Sequence, residues 1–202
     1  MQSTTGIILA GGKGSRIKKN KALIMLPDGK TLIQKSVDTL KKVFTEVLIV
    51  TNQKEIYRDY DARVLEDLIK DKGPLGGIFT GLCYSTSHYN FIMGCDMPFP
   101  QIGLIRLLSE KCDNQDVIIP ETGGEVEPLF ALYSKNCLPV ILNHLLKDDL
   151  KIRHVLEKLR VERIGEKEID SVDPEYLSLF NVNTEEDLKK AQALLAQMSN
   201  SV

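Results

Sequence analysis

The residues best suited to chemistry in this 202-residue chain lie near its start. An apolar run, Ile7 to Ala10, empties into a segment with three glycines (Gly11, Gly12, Gly14) and five cations (Lys13, Arg16, Lys18, Lys19, Lys21). Glycine lets backbone N–H groups approach a ligand closely, and cations beside them favour an anion. A strand feeding straight into the loop argues for a held anion site against a solvated basic turn. Two familiar phosphate cradles are excluded. A P-loop needs Lys and then Ser or Thr after its second glycine, but Gly14 is followed by Ser15 and Arg16. A dinucleotide fingerprint needs glycine where Ile17 stands.

Asp96 follows the apolar run Asn90 to Cys95 and precedes Met97-Pro-Phe-Pro100. A carboxylate at the end of a buried strand needs compensation. Mg²⁺, held by one or two carboxylates and substrate phosphates, would supply it. Capping the helix that follows is the competing role, and the two are compatible. Asp67 comes after the short apolar stretch Arg63 to Glu66 and is open to either a site or a turn role. Asn52 ends the run Glu46 to Thr51, and Asn181-Val-Asn183 precedes the last helix, where amides can meet a substrate or cap. Glu125 and Glu127, at i and i+2 on an expected hairpin, read as a solvated face rather than an acid/base pair.

The elements that would position these residues follow from periodicity. Strands are expected at Thr5 to Ala10, Glu46 to Thr51, Arg63 to Glu66 and Asn90 to Cys95, with Ala22 to Leu26 extended. A helix capped by Thr31 runs to about Phe44, with Ile33, Val37, Leu40 and Phe44 on one face. Lys54 to Tyr60 is expected as a short helix, and Gly73 to Gly77 as a loop leading into a helix over Ile78 to Thr86. A helix bearing Ile105, Leu108 and Cys112 follows Pro100. Strand–helix alternation of this kind implies a parallel sheet covered on both faces, with ligands outside the carboxyl ends of its strands. The basic loop, Asn52, Asp67 and Asp96 would then share one edge. Beyond it, strands are expected at Asp116 to Pro120 and Leu129 to Tyr133, joined through Gly123-Gly124 as a hairpin overhanging the site. Helices are expected at Lys135 to Leu146 and Ile152 to Leu159, and strands at Val161 to Ile164 and Leu177 to Val182. The last helix opens at Thr184-Glu-Glu-Asp187, a capping box with Asp in the Glu position, and carries Leu188, Ala191, Leu195 and Met198 on one face.

Length suits a single domain spanning 1–202. The net charge of −2 gives no reason to expect nucleic acid, and it makes the local basic cluster stand out. Cys83, Cys95, Cys112 and Cys137 form no Cys-x-x-Cys pair and read as reduced core thiols, while His88, His144 and His154 lack metal-ligand spacing and read as structural or surface residues. With no signal-peptide pattern and no long apolar span, a cytoplasmic protein with no membrane partner is expected.

Five motifs in order carry a resemblance: Leu9-Ala-Gly-Gly12, Lys21-Ala-Leu23, Gly73-Pro-Leu-x-Gly77, Cys95-Asp96-Met-Pro98 and Asn181-Val-Asn-Thr184. Together they resemble molybdenum cofactor guanylyltransferases, nucleotidyltransferases with a GT-A-like, three-layer Rossmann-like α/β sheet, over about Gly6 to Ala191. The resemblance implies transfer of GMP from GTP to the terminal phosphate of molybdopterin cofactor, with release of pyrophosphate. It implies that Leu9, Ala10, Gly11 and Gly12 hold the nucleotide and that Lys21 neutralises phosphate charge. Asp67 would contact the guanosine, and Asp96 would bind Mg²⁺ and GTP. Arg16 and Lys21 keep the family's separation and join Asp96 as the catalytic set, and Asn52, Asn181 and Asn183 match positions near nucleotide or pterin. The GTP half would be about 5–112 and the acceptor half about 113–198, with proteins that deliver or receive the cofactor as transient partners. The family usually carries Arg-Met-Gly-x-Asp-Lys where this chain reads Arg16-Ile-Lys-Lys-Asn-Lys21. A CTP-dependent or sugar-phosphate nucleotidyltransferase is the alternative, and a non-catalytic GTP-binding regulator is another.

Overall fold

A computed structural model describes residues 4–11 and 21–199 of the chain. Its centre is one eight-stranded sheet: β1 (Thr4–Leu9), β2 (Glu46–Val50), β3 (Arg63–Leu65), β4 (Tyr89–Gly94), β5 (Val117–Thr122), β6 (Glu125–Val126), β7 (Phe130–Ser134) and β8 (Val161–Ile164). The order is β3-β2-β1-β4-β7-β5-β6, with β8 on β5. β1 pairs in parallel with β2 and β4, β2 with β3, and β5 with β8, whereas β7 runs against both β4 and β5. The expected mainly parallel α/β sheet is therefore present, with one central strand reversed.

Side chains alternate between the two faces, as the two-residue period of a strand requires. Ile8, Val47, Ile49, Phe91, Met93 and Leu132 meet helices α1 (Leu32–Leu40), α3 (Ile102–Glu110) and α6 (Glu166–Ile169) on one side. Ile7, Leu9, Leu48, Val50, Ile92 and Tyr133 meet α2 (Gly73–Tyr84), α4 (Leu138–Leu146) and α5 (Ile152–Leu156) on the other. This is the three-layer arrangement. The last helix, α7 (Glu185–Ser199), seals an edge through Ala191 and Leu195 against Leu26, Leu32, Phe99 and Val182. Met198, expected on that face, is largely exposed.

Several elements differ from expectation, each for a local reason. Gly73 to Gly77 is not a loop but the first turn of α2, because Pro74 sits where a helix has no use for its N–H. Leu177 to Val182 is not a strand. Both carboxylate oxygens of Asp173 take the amides of Leu177 and Ser178, and Tyr176 is left-handed (φ 53°), which winds Leu177–Leu179 into a 3₁₀ turn. Lys21–Leu23 and Lys54–Tyr57 are also 3₁₀ turns, and α1 stops at Leu40 rather than near Phe44. The Gly123-Gly124 turn, with both φ angles positive, leads first into the short β6, and β7 then pairs antiparallel with β5 as the expected hairpin requires. Cys83 is exposed rather than core. The helix caps hold as expected: Thr31 Oγ1 accepts from Gln34 N, and Thr184 Oγ1 and Asp187 exchange bonds as a capping box.

α2 lies unusually close to β1, because Gly77 and Gly81, one turn apart, face Leu9 and Ile7, two residues apart. A Cβ at Gly81 would stand 2.8 Å from both Cδ1 and Cγ2 of Ile7, a fully buried β-branched side chain with little rotamer freedom. Gly81→Val should therefore destabilise the protein by about 2–3 kcal/mol through overpacking. A lower urea midpoint at constant slope is the expected reading. An unchanged midpoint would rule out this close approach.

Candidate active site

β1 is flanked by β2 on one side and β4 on the other, so the strand order reverses at β1 and leaves a crevice beyond its carboxyl end. Ala10 and Gly11 leave β1 there, Asn52 follows β2, Asp67 follows β3, and Cys95-Asp96 follow β4. Ala10 N donates to Val50 O at 2.8 Å and Cys95 N to Leu9 O at 3.1 Å, which extends the ladder slightly past each strand end. The convergence expected from strand alternation is thus present for Asn52, Asp67 and Asp96. Gly12 and Arg16, like Lys13 to Asn20, lie outside the described residues.

Asp96 sits against the backbone of its own strand. A Cβ on Gly94 would be 2.6 Å from Asp96 Oδ1, so glycine there leaves room for the carboxylate. Lys21 Nζ lies 3.7 Å from Asp96 Oδ2 and donates to Asn183 Oδ1 at 3.1 Å. The Asn181–Asn183 segment is tied to the same place by Val182 N, which donates to Asp96 O at 2.9 Å. Burial pushes the Asp96 carboxyl up from its ordinary value, partly countered by Lys21. Asp96 does not cap a helix, since the Met97-to-Pro100 segment delays α3 until Ile102. Cys95 is partly buried, and its thiol is pushed up to about 12 by desolvation, which leaves it unreactive.

Asp67 forms the second pole. Its Oδ2 accepts from Asn52 Nδ2 at 2.8 Å, whereas Oδ1 is buried with no hydrogen-bond partner among the described residues. Gly11 and Gly77 leave space on either side of it, their Cβ positions falling 4.0 Å from Oδ2 and 3.8 Å from Oδ1. The next residue is held by Thr80, whose Oγ1 accepts from Leu68 N at 3.0 Å. Burial raises the Asp67 carboxyl too, with Asn52 opposing. A buried acceptor without a donor is costly and points to a ligand that brings one.

Glu127 is a site residue that the sequence reading assigned to a solvated face; that reading holds for exposed Glu125 but not for Glu127. Glu127 is half-buried three residues before the reversed strand β7, so it comes to the same edge as Asp96. Asn181 Nδ2 donates to its Oε2 at 3.1 Å, and burial followed by the nearby Asp96 charge raises its carboxyl. The signals available were the unbroken apolar run after Pro128 and the expected hairpin, which give a buried strand antiparallel to β5 but not its place beside β4.

Among the described residues no group of three or more His, Cys, Asp or Glu is placed to hold a metal ion by itself. Asp96, with side-chain exposure of 25%, fits a hard cation that takes one protein carboxylate and completes its shell from phosphates and water.

A family described as the MobA-like NTP transferase domain matches residues 6–164. The chain belongs to the MobA-like NTP transferase family. It is 42% identical to a molybdenum cofactor guanylyltransferase of Desulfosudis oleivorans, over 96% of this chain and 97% of that one. In structure it is similar to the molybdopterin-guanine dinucleotide biosynthesis protein A of Archaeoglobus fulgidus, with TM-score 0.86, 28% identity and coverage of 96% and 99%. A nucleotidyl transferase of Methanothermobacter thermautotrophicus shares the fold alone, at TM-score 0.76 and 16% identity over 97% of this chain and 99% of that one. Membership makes this chain an enzyme, a nucleotidyltransferase. Among the described residues no helix is long and apolar enough to cross a membrane.

Proposed function

We propose that this nucleotidyltransferase moves a guanylyl group from GTP to the terminal phosphate of molybdopterin cofactor. An oxygen of that phosphate attacks the α-phosphorus of GTP. The new P–O bond forms as the bond to the β-phosphate oxygen breaks, and pyrophosphate leaves with the electron pair. The observation that carries the guanine assignment is the buried Oδ1 of Asp67, which has no partner among the described residues. The Watson–Crick edge of guanine brings two N–H donors, at N1 and the 2-amino group, to such an acceptor. The relatives' names support the acceptor assignment.

The attacking phosphate monoester is largely dianionic near neutral pH, its second pKa being about 6, so it needs no side-chain base. What it needs is relief from charge repulsion and in-line placement. Leu9, Ala10, Gly11 and Gly12 would lie along the nucleotide, and Arg16 and Lys21 would face its phosphates. Asp96 would hold Mg²⁺ together with those phosphates; the bound ion neutralises charge that develops during transfer. Asn52 would brace Asp67, and Asn181 and Asn183 would border the acceptor. On this reading residues 5–112 form the GTP side and 113–198 the acceptor side of one 1–202 domain.

Pyrophosphate release with molybdopterin cofactor and each of GTP, CTP and ATP tests the proposal. GTP alone should support turnover. CTP preference would move the enzyme to cytidylyl chemistry, and tight GTP binding without pyrophosphate would mark a regulator. Lys21→Ala should weaken GTP binding about tenfold, with less loss at high salt as ions screen the wild-type attraction. Affinity equal to wild type at low salt would remove Lys21 from the phosphate site.

A further inference from the structure

Both oxygens of the Glu127 carboxylate are engaged. Oε1 accepts from Leu129 N at 3.0 Å, and Oε2 accepts from Asn181 Nδ2 at 3.1 Å. The same Asn181 nitrogen donates to Leu179 O at 3.2 Å. An ionised carboxylate and a peptide carbonyl only accept, so both must face the amide's nitrogen rather than its oxygen. Both N–H groups of Asn181 are therefore spent, and its Oδ1 has no partner among the described residues. Asn183 is set the opposite way. Lys21 Nζ, which only donates, occupies its Oδ1 at 3.1 Å and leaves its amide N–H groups for a ligand.

The two asparagines thus present opposite hydrogen-bonding characters two residues apart. Asn183 suits a phosphate oxygen. Asn181, fixed as an acceptor, repels phosphate and suits an N–H donor. We propose that Glu127 is a positioning residue that locks the Asn181 carboxamide with Oδ1 available, so that it accepts from an N–H of the acceptor substrate's heterocycle. This inference rests on the guanylyl-transfer reading, in which Asn181 borders the acceptor. Glu127 itself touches no substrate. Its reversed strand delivers it behind Asn181, and the Leu129 amide holds its other oxygen.

Kinetics on the full-length enzyme test this. Glu127→Gln keeps the size of the side chain but offers one acceptor where two donors must be met, so the Asn181 amide loses its enforced orientation. The variant should show an acceptor KM raised about tenfold, the scale of one misplaced hydrogen bond, with GTP affinity within about twofold of wild type. Because Glu127 acts through Asn181, E127Q added to N181A should cost nothing beyond N181A alone. An unchanged acceptor KM in E127Q would overturn the proposal. So would additive losses in the double variant, or equal losses for GTP and acceptor, which mark a merely structural role. A wild type that transfers no guanylyl group overturns the functional reading and this proposal with it. A wild type that does, with E127Q indistinguishable from it, overturns this proposal alone.

Discussion

Asp96→Asn should abolish guanylyl transfer, by at least about 10²–10³-fold, while making the ligand-free protein slightly more stable. Both effects come from one placement. The carboxylate stands at the end of β4 in space that glycine at position 94 provides, with Lys21 Nζ 3.7 Å away. Burial favours its neutral form, so its proton is held more tightly in the folded than in the unfolded chain. The sign follows from linkage. For a carboxyl raised on folding, stability is present at low pH and is lost as pH climbs from the unfolded value through the folded one. At neutral pH the ligand-free enzyme carries that cost, and a neutral amide removes it. Lys21 loses its partner but is not fully buried, so water offsets part of that loss. A rise in Tm of about 1–3 °C with pyrophosphate release at background is the expected pair of results. Near-normal Mg²⁺-dependent turnover would overturn the metal assignment, and a marked fall in Tm would show that the Lys21 pair outweighs desolvation.

The same logic extends along the edge. Asp67, Asp96 and Glu127 are three carboxyls pushed upward chiefly by burial, and they stand where the strands end. Lys21 and Asn52 offset that burial only in part at Asp96 and Asp67, and Asp67 Oδ1 keeps no partner among the described residues. For Asp67 and Asp96 that cost supports a site that takes an N–H donor and a cation from its ligands, independently of any motif. Cys95, although between two site residues, is held inert by the same desolvation.

What was legible in the sequence was whatever a local pattern specifies. Apolar runs at Ile7, Val47 and Phe91 announced buried strands, and strand alternation with helices announced which ends of them would meet. Asp96 and Asp67 reach the carboxyl edge as expected because each lies two residues past the end of its strand. The misreadings arose where a distant contact decides. The expected hairpin sets β7 antiparallel to β5, but no residue within β7 encodes its pairing with β4, which brings Glu127 to the edge that Asp96 occupies. Leu177 to Val182 has a strand's composition, yet Asp173 captures two of its amides first. At Gly73 to Gly77, glycine was read as loop freedom. Gly77 is instead packing space against Leu9, and Pro74 was the better guide to a helix start.

Asp67→Asn carries the second large effect, a loss of base discrimination. In the wild type Asn52 occupies Oδ2, and Oδ1 is buried without a donor among the described residues. Guanine N1–H and the 2-amino group would satisfy that acceptor. A hydrogen bond to a charged group contributes about 1.5–3 kcal/mol, and more is lost when a site acceptor stays unpaired. An asparagine of the same size must either turn its NH₂ toward those donors or turn it toward the Asn52 NH₂. GTP affinity should therefore fall by about 10–150-fold, following from that energy at 1.36 kcal/mol per decade. Inosine triphosphate, which lacks only the 2-amino group, separates recognition from general damage. The wild type should prefer GTP to the inosine nucleotide, and Asp67→Asn should lose most of that preference while inosine triphosphate binding changes less. Acid should act in the same direction in the wild type. As pH falls through the raised Asp67 carboxyl the acceptor becomes protonated, so GTP preference should decline at a higher pH than an ordinary aspartate would allow. Equal loss for both nucleotides would assign Asp67 to folding or ribose contact, and an unchanged preference would remove it from base recognition.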